Sequence, residues 1–144
     1  MKQWIWAIIM FIGSVILFAI LETAYQSFFN PSKKDQIESA LRKVSQDTNK
    51  NCPIIMNKYT TLISTSAQGD SLKMWYHFDA EKFYEEEGLT VNNVEMLEQD
   101  AKIKEFCGPE AKGMRSMDAK MKVTYRDIDN SYLFNFTVDK SDCD

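Results

Sequence analysis

The chain has 144 residues, of which 44% are hydrophobic, 26% charged and 12% aromatic, and its formal net charge is −4. This length allows one small domain with an appendage and excludes barrels or doubly wound enzymes of about 250 residues. Lys2 is the only charged residue before Glu22, so residues 22–144 carry 16 basic and 21 acidic side chains, a net charge of −5. This acidic balance argues against nucleic acid or an anionic lipid surface as the main partner.

An apolar run from Trp4 to Leu21 contains no charged residue. As a helix it would measure roughly 27 Å, which is close to the hydrocarbon thickness of a bilayer. The alternative is a cleaved signal peptide, whose apolar part is about 7 to 15 residues long and ends at a small-x-small cleavage site. Here Glu22 lies two residues before Ala24 and breaks that pattern. The run therefore predicts an uncleaved transmembrane signal-anchor over residues 1–24.

The charges that flank this run are nearly balanced, so they do not set its orientation. Lys2 and the terminal amine lie on one side, and Lys33 and Lys34 lie on the other. A short N-terminal tail that stays inside while the long C-terminal part is exported is the usual signal-anchor arrangement, and the cysteines also favour export. We expect a single-pass protein of the inner (plasma) membrane with residues 22–144 outside the cytoplasm.

Residues 25–51 are predicted to form a connector followed by an amphipathic helix. Asn30-Pro31 is a signal for a break, and the helix is expected to run from about residue 33 to 48. Its narrow apolar stripe could pack on the domain or pair with the helix of a neighbour, and we favour packing on the domain. The apolar residues at helical spacing are Ile37, Leu41 and Val44.

Residues 52–144 are predicted to form an extracytoplasmic α+β domain. Hydrophobic residues there alternate with a period of two in four segments, which indicates two β-hairpins. Between the hairpins, Asp79 is expected to cap a short helix that ends at Gly88, and Asn92 with Glu95 to begin a longer helix that ends at Gly108. This order predicts an antiparallel sheet of about four strands with helices on one face. The predicted strands are Tyr59–Ala67, Leu72–Phe78, Lys120–Arg126 and Tyr132–Val138.

Two stretches of this domain resemble a group of small exported bacterial proteins without a known activity. The resemblance spans roughly residues 50–143, and it implies a two-hairpin domain, export and a disulfide between Cys107 and Cys143. The first stretch comprises Cys52-Pro53-Ile54-Ile55-Met56-Asn57-Lys58-Tyr59-Thr60-Thr61-Leu62, the Gly69 turn and Trp75-Tyr76-His77-Phe78. The second comprises Phe106-Cys107-Gly108-Pro109-Glu110, Val123-Thr124-Tyr125 and Asp142-Cys143.

Three cysteines in an oxidising compartment predict one disulfide and one free thiol. The favoured pair, Cys107–Cys143, would tie the end of the helical segment to the chain just after the last strand. The alternative pair is Cys52–Cys143. With no C-x-x-C motif and a single histidine, no metal site and no cofactor are predicted.

The polar face of the two central strands is the candidate binding face. If helices cover only the opposite face, a tryptophan, the only histidine and several cations would lie exposed on an otherwise acidic domain. Tryptophan and arginine are enriched at interface hot spots. The alternative is a solvated sheet face with long side chains and no partner. The candidate residues are Lys73, Trp75, His77, Lys120, Lys122 and Arg126.

No pattern in the sequence indicates a known catalytic site. There is no nucleophile elbow around a serine and no glycine-rich phosphate loop, and Glu85-Glu86-Glu87 is interpreted as a solvated helix end. The sequence therefore predicts a non-enzymatic interaction module that binds a protein partner in the envelope, as an accessory subunit of a membrane complex. The alternatives are a tethered inhibitor or ligand-binding domain, and an enzyme with a site near His77 and Cys52.

Overall fold

The structure is a computed structural model in which residues 31–143 are described. The predicted anchor at residues 1–24 and the start of the connector lie outside these residues. None of the helices in the described range has the length and the apolar character that crossing a bilayer requires. The chain divides into two units, and the second, Lys34–Asp144, contains the sheet and its helices.

The first helix, α1 (Lys33–Asn49), packs on the sheet through its apolar stripe. Ile37 and Leu41 are buried and contact Leu72 of the sheet and the nearby Ala119. Leu41 is completely buried, whereas Val44 is 46% exposed at the margin of the stripe. The predicted helix and its packing on the domain are therefore confirmed.

The last turn of α1 is held to the sheet by hydrogen bonds as well as by apolar contact. The Asn49 side chain donates to the carbonyl oxygen of Thr65 and accepts from the N–H of the same residue, both at 2.8 Å. The Thr65 hydroxyl also lies 3.0 Å from the Ser45 hydroxyl. Because Ser45 and Thr65 are both buried, these bonds satisfy polar groups that would otherwise destabilise the interface.

Five strands form one sheet in the order β1-β2-β3-β4-β5. The pair β3 and β4 is parallel, and the other three pairs are antiparallel. The strands are β1 (Ile54–Ile55), β2 (Thr60–Gln68), β3 (Ser71–Phe78), β4 (Lys120–Asp127) and β5 (Tyr132–Val138). The predicted α+β class and both hairpins are confirmed.

The predicted antiparallel sheet of four strands is wrong in two respects. The sheet has a fifth strand, β1, which is too short to show a period of two. The two hairpins also join in parallel, because the 41 residues from Asp79 to Ala119 carry the chain back across the sheet before β4 begins. The first residue of β4, Lys120, therefore lies beside the start of β3 and donates its N–H to Asp70 O at 2.8 Å. A parallel pair requires a crossover of about a dozen residues or more, and this segment is long enough.

The crossover consists of three helices and a short 3₁₀ turn, α2 (Ala80–Glu87), α3 (Val91–Cys107), Pro109–Ala111 and α4 (Lys112–Ser116). As predicted, the Asp79 carboxylate caps α2 by accepting from the N–H of Lys82 at 3.0 Å. Gly88 ends α2 with a φ of 67°, in the left-handed region that favours glycine. The predicted start of α3 is wrong by two residues, since the cap is Thr90 and not Asn92, and Thr90 donates its N–H to the Asn93 side chain at 3.1 Å.

All of these helices lie on one face of the sheet, where they enclose the core. Val94 and Phe106 of α3 are buried against aromatic residues of β3, β4 and β5. The rings of Tyr76 and Tyr125 stack with a centroid distance of 4.9 Å, and Tyr125 stacks in turn on Phe134 at 4.7 Å. The predicted covering of one face by helices is therefore confirmed.

A disulfide joins Cys107, the last residue of α3, to Cys143 in the C-terminal 3₁₀ turn Lys140–Cys143. The favoured cysteine pair is thus confirmed, and the alternative pair Cys52–Cys143 is wrong. Cys52 is free and half-buried, and it contacts the core on the helix side of the sheet.

Replacing Leu41 with alanine should lower the free energy of unfolding by about 2–5 kcal/mol, because it leaves a cavity between α1 and the sheet. Val44→Ala on the same helix is the matched control and should change the free energy of unfolding by no more than about 0.5 kcal/mol. Urea unfolding of the full chain in detergent measures both. Equal effects of the two substitutions would show that α1 does not pack on the sheet through this stripe.

Replacing both Cys107 and Cys143 with alanine should lower the free energy of unfolding by about 4 kcal/mol, the value expected in the chain-entropy model for cysteines 36 residues apart. Cys52→Ala is the control and should have a smaller effect. In unreduced protein taken from cells, a thiol reagent should label Cys52 after unfolding and leave the other two cysteines unmodified. Three reactive thiols would contradict both the disulfide and export to an oxidising compartment.

Candidate functional site

No helix in residues 31–143 covers the second face of the sheet, which we call the open face. Neighbouring residues of a strand point to opposite faces, so the residues that alternate with the buried Leu72, Tyr76 and Phe78 of β3 lie on it. The parallel register then sets the cross-strand neighbours on this face. Lys73 lies opposite Lys122, Trp75 opposite Thr124, and His77 opposite Arg126. The predicted face is thus one continuous surface, which also includes Lys120 at the start of β4, beside Ser71.

Cations dominate the charge on the open face. Within residues 31–143, neither Lys73 nor Lys122 is in an ion pair, and the two lie opposite each other. Lys120 Nζ lies 3.7 Å from Asp70 Oδ2 at the margin of the face. Arg126 Nη1 donates to the carbonyl oxygen of Asn130 at 3.0 Å, which directs its guanidinium toward the β4–β5 turn. The centre of the face therefore attracts negatively charged groups.

Two depressions flank the half-buried side chain of Trp75. The first has a volume of about 300 Å³ and lies toward the β4–β5 turn, with His77 and Arg126 in its wall. The second has a volume of about 280 Å³ and extends from Lys73 across β4 to β5. An aromatic side chain between two depressions offers both a contact surface and space for side chains of a partner.

Several residues of this surface were absent from the sequence prediction. Asn135 and Thr137 of β5 line the second depression, and Ile63 and Ser64 of β2 line the first. Asn135 and Thr137 alternate with buried phenylalanines, so the period of two in β5 was a signal that could have placed them on the open face. Ile63 lies at a β-bulge between Leu62 and Ser64, which the alternation of side chains cannot locate.

The two residues of the possible enzyme site are not brought together. His77 lies on the open face, whereas Cys52 contacts the core on the helix side of the same sheet. In the part of the chain that the structure describes, no group of three or more histidine, cysteine or acidic residues could hold a metal ion.

A buried lysine, Lys102, supports the sheet from the helix side and was not predicted. Its Nζ lies 2.8 Å from Glu105 Oε2 and 5.0 Å from the centre of the Tyr76 ring. Burial by itself would lower the pKa of Lys102, but its interactions with Tyr76 and Glu105 outweigh burial and raise that pKa above the ordinary value. The lysine is therefore charged, and it packs on the central strand by a cation–π contact.

A hydrogen bond from Tyr125 to α3 lies beside this lysine. The Tyr125 hydroxyl donates to Glu98 Oε2 at 2.5 Å, and burial, followed by this hydrogen bond, raises the pKa of Tyr125. The phenol therefore stays neutral and fixes β4 to α3. Together with Lys102, this contact holds the aromatic residues of β3 and β4 in place behind the open face.

The acidic run at the end of α2 is more than a solvated helix end. The Tyr59 hydroxyl lies 2.8 Å from Glu86 Oε2 and 2.7 Å from Glu87 Oε1, and Lys58 Nζ lies 2.8 Å from Glu86. The hydrogen bond from Lys58 is the main cause of a lowered pKa of Glu86, and the bond from Tyr59 has the same effect on Glu87. Burial, with the Glu87 hydrogen bond, raises the pKa of Tyr59 to about 12. These contacts fasten α2 to the start of β2.

Lys58→Met should lower the urea midpoint of unfolding at pH 7, because it removes the cation that stabilises the two carboxylates. Since the pKa values of Glu86 and Glu87 are lowered by folding, their stabilising effect is present above the ordinary pKa of 4.5 and is lost as the pH falls below it. The difference between the variant and the wild type should therefore shrink between pH 5 and pH 3. Lys112→Met, at an exposed position, is the control and should show no such change. A difference that is constant with pH would assign the effect to the loss of the contact between Lys58 Nζ and the Tyr59 ring, whose centre lies 4.6 Å away.

Comparison with known proteins shows similarity in fold without similarity in sequence. No protein-family model matches the chain, and no curated protein matches it significantly. Two solved structures of type II secretion system pilotins are similar. The pilotin of Vibrio vulnificus has a TM-score of 0.66 at 12% identity, over 80% of this chain and 98% of the pilotin. The pilotin of Vibrio cholerae has a TM-score of 0.60 at 14% identity, over 77% of this chain and 95% of the pilotin.

A third similar structure is a protein of Pseudomonas aeruginosa described as secreted. It has a TM-score of 0.65 at 13% identity, over 79% of this chain and 98% of that protein. The neighbours in fold are thus secretion-system or secreted proteins, which agrees with the resemblance to small exported proteins. At this level of identity, the comparisons show that the chain shares the fold of these small bacterial proteins.

Proposed function

We propose that this protein is a membrane-anchored accessory subunit of an envelope complex and that it binds a protein partner through the open face. The observation that carries the proposal is the exposed sheet surface itself. On this surface a half-buried tryptophan lies between two depressions and beside two lysines that form no ion pair within residues 31–143, on a domain of net negative charge.

The composition of the open face favours a protein partner with acidic groups. Trp75 offers a large contact area at low cost in conformational entropy, and aromatic residues surrounded by polar ones are typical of interface hot spots. Lys73 and Lys122 repel each other mildly across the strand pair, and a carboxylate between them would relieve that repulsion. Electrostatic complementarity of this kind contributes mainly to specificity and to the rate of association.

The comparisons support the accessory role. Two of the similar structures are pilotins of type II secretion systems, which supports the assignment of this chain as an accessory subunit of a membrane complex. The proposed location is the inner membrane, with a single anchor at residues 1–24 and the domain outside the cytoplasm. The charge-free run from Trp4 to Leu21 and the Cys107–Cys143 disulfide support it. We propose a non-enzymatic role, since the candidate residues His77 and Cys52 lie on opposite faces of the sheet.

Trp75→Ala should weaken binding of the partner by at least 2 kcal/mol, about 30-fold, as expected for a central interface aromatic. The measurement is the amount of partner that co-purifies with the full chain in mild detergent at native expression. Tyr84→Ala is the matched control, because Tyr84 is an aromatic residue of α2 that is 61% exposed on the helix side. Unchanged recovery with Trp75→Ala, or equal loss with Tyr84→Ala, would contradict the proposal.

A further inference from the structure

The strand β5 is a long open edge of the sheet. It is the last strand in the order and, among residues 31–143, pairs only with β4. Its seven residues, Tyr132–Val138, contain no charged residue and no proline. Natural proteins usually protect an edge strand by shortness, charge, proline, a bulge or a covering segment, because an unpaired edge offers N–H and C=O groups to another chain. The opposite edge differs, since β1 has only two residues and, beyond it, the Asn49 side chain occupies the N–H and the carbonyl oxygen of Thr65.

The direction of the β5 backbone follows from the pairing of β4. Lys120 directs its N–H toward the β3 side of the sheet, where it donates to Asp70 O. Because these groups alternate along a strand, Met121 and Val123 direct theirs toward β5, and their partners on β5 are Val138 and Phe136. The intervening residues of β5, Asn135 and Thr137, therefore direct their N–H and C=O outward.

The outward backbone groups of Asn135 and Thr137 are unpaired within the described residues. In residues 31–143 no hydrogen bond outside the strand ladder involves the backbone of Asn135 or Thr137. The side chains of both residues are exposed on the open face. The single bulge in β5 lies near Tyr125 and Arg126 of β4, away from these two residues, so it leaves this part of the edge regular. The edge is therefore ready to accept another strand.

We propose that the partner binds by adding an extended, acidic segment to β5 as a sixth strand; this inference rests on the proposed function and specifies its mode of binding. The backbone of Asn135 and Thr137 supplies the hydrogen bonds, as in other cases of strand addition. Every second side chain of the added segment then lies on the open face, and the chemistry of that face selects those side chains.

The charge of the open face favours carboxylate side chains in the added segment. Lys122 lies opposite Thr137, one strand in from the edge, and the short threonine side chain leaves its ammonium group accessible from β5. An added strand would lie two strand spacings from β4, about 10 Å, which the side chains of a lysine and a glutamate can bridge together. The second depression runs from Trp75 to Asn135 and Thr137, so a side chain of the added strand can also enter it. A second copy of this chain would present an uncharged strand and would leave these lysines unpaired.

The test places a photoreactive amino acid at Asn135 of the full chain in its native membrane. After irradiation, the crosslinked residues of the partner are identified by mass spectrometry. Strand addition predicts crosslinks at alternate residues of an acidic segment of another protein. It also predicts that Thr137→Pro lowers the crosslink yield at least tenfold. This substitution removes an outward N–H but leaves every hydrogen bond between β4 and β5 in place. Thr137→Val keeps the N–H, so it should retain the yield and serves as the control.

A second measurement tests strand addition if the Thr137→Pro variant fails to fold. A synthetic peptide that copies the crosslinked segment is added to the wild-type chain in detergent, and amide hydrogen exchange is followed. The exchange of the Asn135 and Thr137 amides should slow at least tenfold, and a peptide with its carboxylates replaced by lysines should have no effect. Unchanged exchange would overturn strand addition.

Other outcomes of the crosslinking experiment also overturn this inference. They are crosslinks only to a second copy of this chain, crosslinks spaced three and four residues apart as in a helix, and no crosslinked protein. If Trp75→Ala abolishes partner recovery while Thr137→Pro leaves it unchanged in a folded protein, the proposed function stands and strand addition fails. If neither variant affects recovery, both proposals fail.

Discussion

The parallel pairing of β3 with β4 is the constraint on which the rest of the domain depends. It extends in register from the pair Ser71 and Lys120 to the pair Phe78 and Asp127. On the helix side, this register stacks Tyr76 on Tyr125 and so creates the aromatic centre of the core. On the other side, the same register sets Lys73 against Lys122 and Trp75 beside a threonine. A shift by one residue would exchange the two faces and would place the cations in the core.

The crossover makes this pairing possible and also stabilises it. Its helices return the chain to the start of the sheet, and they supply the apolar and polar groups that cover one face. Lys102 makes both a polar and an apolar contact of this kind, since it forms an ion pair with Glu105 and packs on the ring of Tyr76. Because the core lies on this one side of the sheet, the side chains of the opposite face do not contribute to it. The tryptophan and cations of that face are the basis of the binding role that we propose.

Much of the local structure could be predicted from the sequence, because the alternation of side chains reports which face of a strand is buried. The segments Leu72–Phe78 and Tyr132–Val138 agree with the observed strands to within one residue. The same alternation placed the candidate residues of β3 and β4 on one face. It does not report which strand is the neighbour, however, so the parallel pair was not predicted. The helical segment between the hairpins was the available signal for a crossover. Lys102 was missed because a lysine on a helix is ordinarily exposed.

The disulfide has a mechanical consequence for the domain when tension is applied along the chain. A pull applied at the C-terminal end of the chain enters at Cys143 and passes through the covalent bond to Cys107 at the end of α3. Residues 108–142, which include both β4 and β5, therefore lie outside the path of the tension. The pairing of β4 with β5 is therefore spared such a load, while α3 transmits the force to the rest of the domain.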